Sequence, residues 1–208
     1  RALFEALAGA GIENVMALRG DPPKGEERFT VAEGGFRYAS EMIEMVAREF
    51  DLSIGAAGYP EKHQEAESVA SDVANAVRKV RAGARFLVTQ FFFDNDAYFA
   101  YVERVRAAGV DVPIVPGIMP ITNYAAIARM TAMSGATIPQ RLLAELEARS
   151  DEPDAVADLG VAYTALQCRD LLDRGAPGLH FYTLNKSPVT RAVVSALVAA
   201  RTFHELVA

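Results

Sequence analysis

Cysteine is almost missing from these 208 residues: Cys168 is the single one. One thiol cannot close an internal disulfide, which points to a reducing compartment and a cytoplasmic location. Cys168 falls in a helically periodic stretch without a His/Asp partner in an obvious motif, so it reads as a small buried hydrophobe and not as a nucleophile. Clusters of Lys and Arg are missing too, and the net charge is -6. A nucleic-acid surface would carry a basic footprint, so small metabolites fit better as ligands. No apolar run approaches the roughly 18 residues that a membrane span needs, and no basic stretch followed by an apolar one opens the chain. Also absent are a Gly-x-Gly-x-x-Gly turn after any strand and a Gly-x-x-x-x-Gly-Lys-Ser/Thr loop, which argues against the usual pyrophosphate cradles. His63, His180 and His204 lie too far apart for a local metal motif.

What is present is a chain of 51% hydrophobic content, enough to bury a sizeable core as one domain spanning residues 1–208. Its organising stretch is Phe86-Leu-Val-Thr-Gln-Phe-Phe-Phe-Asp94, whose first half reads as a strand buried on both faces. Gln90 inside it must be hydrogen-bonded, either to a neighbouring strand or to a ligand. Core packing is expected for at least two of the three following phenylalanines, and Asp94 is expected to cap the next helix. Four more strands are expected at 14–18, 53–57, 112–118 and 178–184, the fourth of the five kept short by its prolines.

Helical periodicity fills the intervals. The opening helix ends at Gly9 and Gly11, and helices follow over 38–46, 60–80 and 97–107, the last with Phe99, Val102 and Val105 inward. Thr122 and Asn123 cap a helix through Met130, Pro139 and Pro153 start two more, and Ser187-Pro188 opens a final one with Val193, Val194, Leu197 and Val198 inward. Five strands each followed by a helix, with no Asn-Gly or Asp-Gly hairpin signal between alternating runs, indicate a parallel α/β architecture. In such folds the working polar groups lie just beyond the C-terminal strand ends. Arg19, Asp21, Tyr59, Gln90, Tyr182 and Lys186 fall there. Asp72, Asn75, Arg78 and Lys79 form a polar stripe along one helix face, for which spacing alone favours plain solvation.

Together, Leu18-Arg-Gly-Asp21, Tyr38-Ala-Ser40, Ala57-Gly-Tyr-Pro-Glu-Lys-His63, the stripe, Thr89-Gln-Phe-Phe-Phe-Asp94, Pro116-Gly-Ile-Met-Pro120 and His180-Phe-Tyr-Thr-Leu-Asn185 closely resemble the methylenetetrahydrofolate reductase family, in order and over essentially the whole chain. The resemblance implies a (β/α)8 TIM barrel that reduces 5,10-methylenetetrahydrofolate to 5-methyltetrahydrofolate in one-carbon metabolism and methionine supply, with NADH or NADPH as donor and FAD on the C-terminal face. By matching motifs, Arg19, Gly20, Asp21, Ala39, Tyr59, His63, Ala66, Asp72, Asn75, Arg78 and Lys79 would contact FAD. Asp21 and Gln90 would serve the chemistry, and Asp21, Gln90, Met130, Tyr182 and Lys186 would contact the folate. Ping-pong kinetics are the signature implied.

Three departures stand out against that family. Lys186 replaces a common Arg and loses its bidentate fork. Met130 stands where an aromatic or Leu is common. The glutamate that acts as general acid belongs to a first strand, whereas this sequence aligns from just before the fourth, so it is expected to hold strands four to eight. A homo-oligomer without a regulatory domain is expected. The competing readings are a non-catalytic flavin- or folate-binding remnant, a pterin-binding barrel methyltransferase, and a flavin-free reductase of similar barrel type, the last disfavoured by the retained stripe.

Overall fold

The structure is a computed structural model that describes residues 1–20, 29–185 and 187–207, with side chains described up to residue 200. Its centre is a five-stranded sheet formed by β1 (Asn14–Ala17), β2 (Ser53–Gly58), β3 (Phe86–Phe91), β4 (Ile114–Ile118) and β5 (His180–Phe181). Neighbours in space are neighbours in the chain, β1-β2-β3-β4-β5, and every pairing is parallel. A doubly wound sheet would reverse direction at a switch point. This one winds in a single sense, as a barrel does, and forms a half-barrel with β1 and β5 at its margins. Eight strands are implied by the resemblance; five are formed by the described residues.

The helices in chain order are α1 (Ala2–Gly9), α2 (Ala39–Glu49), α3 (Val69–Arg81), α4 (Asn95–Ala107), α5 (Tyr124–Ser134), α6 (Gln140–Glu147), α7 (Pro153–Asp173) and α8 (Pro188–Val207). Their starts follow from local chemistry. Asp94 accepts from the Asp96 N–H at 2.9 Å and Asn123 from the Ala126 N–H at 2.9 Å, so both expected caps form. Pro153 occupies the first turn of α7, and Gly135 closes α5 at φ 76°. No described helix is long and apolar enough to cross a membrane.

Two apolar clusters hold the layers together. The larger joins the sheet to its helices through Ile43, Val46, Ile54, Leu87, Phe92, Tyr98, Val105, Ile114, Cys168 and Leu171. The second gathers Phe91, Phe93, Met119, Ile121, Ile127, Leu142, Leu146 and Val156 beneath α5, α6 and α7. All three phenylalanines of the Phe91–Phe93 run are therefore core, and Phe92 stacks on Tyr98 at 5.5 Å between ring centroids. Cys168 is fully buried and apolar surroundings push its thiol up to about 12, as befits a packing residue.

The differences from expectation have physical causes. The helix expected from Pro60 begins only at Val69, because Ser68 and Ser71 exchange capping bonds and start it there. Residues 60–68 instead form a loop closed by the Lys62 ammonium on the Ala66 carbonyl at 2.6 Å, with Lys62 itself at φ 100°. β5 is two residues long where seven were expected. The N–H of Leu87 bonds the Pro113 carbonyl, so odd-numbered groups of β4 face β3 and Pro116 turns its missing N–H toward β5. Pairing with β5 accordingly starts only at Gly117. On α4, Tyr98 and Tyr101 join Val105 in the core, while Phe99 and Val102 are half-buried. On α8, Val193 is buried, but Val194 and Val198 are exposed.

Candidate functional site

A cavity of about 620 Å³ opens at the C-terminal ends of β1, β2 and β3. Such a size suits a cofactor or metabolite, since ligand pockets run from ~300 to ~1,000 Å³. The loop after β1 contributes Arg19 and Gly20, the start of α2 contributes Ala39, and the loop after β2 contributes Tyr59, His63 and Ala66. From α3 come Asp72, Asn75, Arg78 and Lys79; Gln90 comes from β3, and Tyr182 from the segment after β5. Scattered over more than 160 positions of sequence, these residues meet because their segments lie at, or follow, the C-terminal strand ends of one continuous parallel sheet.

The polar stripe is thus the wall of a cavity, not a solvated face. Asp72 is 5% exposed, and burial raises its carboxyl above the ordinary range, partly opposed by the His63 N–H, which it accepts at 3.4 Å. Lys79 folds inward, donates to the Ala57 carbonyl at 2.8 Å and lies 5.3 Å from the centre of the Tyr59 ring. Desolvation lowers its ammonium to about 8, with Asp72 opposing the shift. Arg78 donates to Asn75 Oδ1 at 2.7 Å, which fixes the orientation of that amide.

The loop after β2 supplies the other half of the wall. Tyr59 and His63 meet edge to face at 4.6 Å. His63 Nδ1 accepts the Glu65 N–H at 3.1 Å, and burial lowers the imidazole's pKa despite the acids nearby. Arg19 makes a bidentate ion pair with Glu65 and lies over the Phe29 ring at 4.7 Å. Glu65 is a site residue that the sequence reading passed over; its only signal was its place between His63 and Ala66 in the same loop.

Gln90 stands on an irregularity. The register between β3 and β4 shifts between Val88 and Phe91, and Gln90 Oε1 accepts the Phe91 N–H at 3.0 Å. Its partner is therefore its own strand, an arrangement outside the two alternatives the sequence offered. With the oxygen engaged, the amide NH2 is the end left to meet a ligand in the cavity.

Met130 is brought elsewhere: it is half-buried against the second apolar cluster and is not part of the cavity wall. Asp21 and Lys186 lie outside the described residues. No group of three His, Cys, Asp or Glu able to hold a metal ion occurs among the described residues.

Residues 1–198 match the sequence model of the methylenetetrahydrofolate reductases. The chain belongs to the methylenetetrahydrofolate reductase family. Methylenetetrahydrofolate reductase 2 of Saccharomyces cerevisiae is 42% identical over 187 residues, 86% of this chain and 31% of that protein. Methylenetetrahydrofolate reductase (NADH) 1 of Arabidopsis thaliana is 40% identical over 193 residues, 88% of this chain and 33% of that protein. The chain thus spans about a third of the length of these reductases. In shape it is similar to an uncharacterised protein from Clostridium thermocellum that binds two copies of 5-methyl-5,6,7,8-tetrahydrofolic acid. The TM-score is 0.55 at 17% identity, over 88% of this chain and 66% of that one, a likeness of fold.

Proposed function

We propose that this chain is the flavin- and folate-binding part of a reductase that converts 5,10-methylenetetrahydrofolate to 5-methyltetrahydrofolate with NADH or NADPH as donor. One observation carries the reading: in a chain of this family, the helix stripe and the loop after β2 join, through Asp72 with His63 and Lys79 with Tyr59, into the wall of one cavity that Gln90 also lines. In the eight-stranded barrel that the family resemblance implies, β1 to β5 are strands four to eight.

The donor set fits FAD. A dinucleotide needs cations for its diphosphate, acceptors and donors for its ribityl and ribose hydroxyls, and a flat surface for a ring. Arg19, Arg78 and Lys79 meet the first need, Asp72 and Asn75 the second, and Tyr59 with His63 the third. FAD, when bound, supplies a hydride relay between the nicotinamide and the folate methylene carbon, for which ping-pong kinetics are expected. Asp72 anchors hydroxyls from a buried position that excludes water, which strengthens each bond it makes. Gln90 would offer its NH2 to an acceptor on the pterin and so hold the substrate in one orientation. By the family resemblance, Asp21 would supply the negative charge that stabilises the cationic iminium form of the substrate, and Tyr182 and Lys186 would contact the aminobenzoyl-glutamate tail. This division of labour assigns Asp21 and Gln90 to chemistry and the remaining residues to binding.

The test is spectroscopic. The purified protein should show flavin absorbance that NADH or NADPH bleaches and that 5,10-methylenetetrahydrofolate restores. Bleaching without restoration would favour a binding remnant, and no flavin at all would remove the reading.

A further inference from the structure

Thr89 is fully buried, although it sits directly beside Gln90 at the irregular point of β3. Both of its oxygens are engaged across the sheet. Its Oγ1 accepts the N–H of Gly117 on β4 at 2.8 Å, taking the place of the backbone acceptor that the shifted register withdraws from that N–H. Its carbonyl accepts the phenol O–H of Tyr182, from beyond β5, at 2.9 Å. The phenol reaches over β4 because Gly117 has no side chain: a Cβ there would come within 2.1 Å of the Thr89 carbonyl oxygen and 2.7 Å of the Tyr182 ring. β3, β4 and the segment after β5 are thereby fastened at one residue, and the fastening encloses the bulge.

A bulge that re-aims a side chain next to a site is a recurring device of sheets. Here the clasp fixes the Thr89–Gln90 peptide, and with it the start of the next one, whose Phe91 N–H holds the Gln90 carboxamide oxygen. We propose that Thr89, Gly117 and Tyr182 are positioning residues for folate recognition: they lock the β3 bulge so that Gln90 presents its NH2, and not its oxygen, to the substrate. This inference rests on the functional reading above and goes further by naming what holds Gln90 in place. None of the three acts through the α3 stripe, so flavin retention should be indifferent to the clasp.

The experiment compares the full-length protein with Thr89→Val, Thr89→Ser, Tyr182→Phe, Gln90→Ala and the Thr89→Val/Gln90→Ala pair. It measures flavin content, the rate of NADH-dependent bleaching, and the Kd for 5-methyltetrahydrofolate by calorimetry. Thr89→Val, which keeps the shape and loses the acceptor, should weaken folate binding about five- to ten-fold, the size of one hydrogen bond. Thr89→Ser should restore it to within about two-fold, and flavin content and bleaching should hold. In the Gln90→Ala background, Thr89→Val should add nothing, because its effect passes through the missing amide. An unchanged Kd for Thr89→Val, a failed rescue by serine, or an equal loss in the Gln90→Ala background overturns the proposal. Should Thr89→Val not fold, Tyr182→Phe decides, made alone and with Gln90→Ala: a loss of folate affinity that vanishes in the Gln90→Ala background supports the clasp, and an equal loss in both backgrounds, or unaltered binding, overturns it. A parent protein that binds no folate would instead overturn the functional reading itself.

Discussion

The guanidinium of Arg19 donates two hydrogen bonds to the carboxylate of Glu65, at 2.6 and 2.9 Å. The pair ties the loop after β1 to the loop after β2 across the mouth of the cavity. Glu65's side chain is 55% exposed, so the pair adds little to global stability, about 1 kcal/mol or less. Glu65→Gln should leave the urea midpoint nearly unchanged while making Arg19 more available to an anion. Pyrophosphate binding, measured by calorimetry, should tighten in that variant.

Removing the anchors from α3 tests the placement of the cofactor. Asp72→Ala combined with Arg78→Ala withdraws a buried hydroxyl acceptor and a cation from the same wall. Purified protein should lose its flavin absorbance while its far-ultraviolet circular dichroism stays as it was. Unaltered flavin content would refute the placement.

Lys79 gives the site a pH dependence. Desolvation lowers its pKa to about 8, so on raising the pH the unliganded lysine becomes neutral well before an exposed one does. Affinity for a diphosphate-containing cofactor should therefore be full below that value and fall as the pH rises through it. For folding the sign is opposite: the unfolded chain holds this proton to higher pH, so stability gains as the pH climbs from about 8 toward the ordinary lysine value. Lys79→Met should flatten both profiles, read by flavin titration and by urea denaturation at a series of pH values.

The core makes a separate prediction. Gly160 on α7 lies against the sheet end so closely that a Cβ would come within 2.0 Å of the Ile121 carbonyl oxygen. Backbone cannot yield as a flexible side chain does, so Gly160→Ala should cost about 1–3 kcal/mol or more, despite alanine's better helix propensity. Phe92→Ala, which removes the ring stacked on Tyr98, should cost about 3–5 kcal/mol. Chemical denaturation measures both.

The sequence made the strand cores legible because apolar runs such as Phe86–Val88 and Ile114-Val115 leave little else for the chain to do there. Asp94 and Asn123 were readable as caps for the same local reason. What could not be read depended on distant partners. The spacing of Asp72, Asn75, Arg78 and Lys79 is equally good for a solvated face, and only the packing of α3 beside β2 turns it into a cavity wall. Likewise, Thr89 looked like an ordinary β-branched strand residue until Gly117 and Tyr182, far along the chain, came to rest on it. Glu65 carried no periodic signal, since it lies in a loop whose shape is set by the bonds of Lys62 and His63.

Strand order copies chain order, yet the loops reach past the neighbouring unit: Gln64, after β2, donates to the Ala132 and Met133 carbonyls of α5, and Glu61 accepts the Thr137 N–H. Length changes in the segment that follows β2 would therefore disturb Arg104 on α4, which donates to the Pro60 carbonyl, and the end of α5 together with the cavity wall. Insertions in that loop are constrained from several directions at once, and its length is expected to vary little among sequences that keep these contacts.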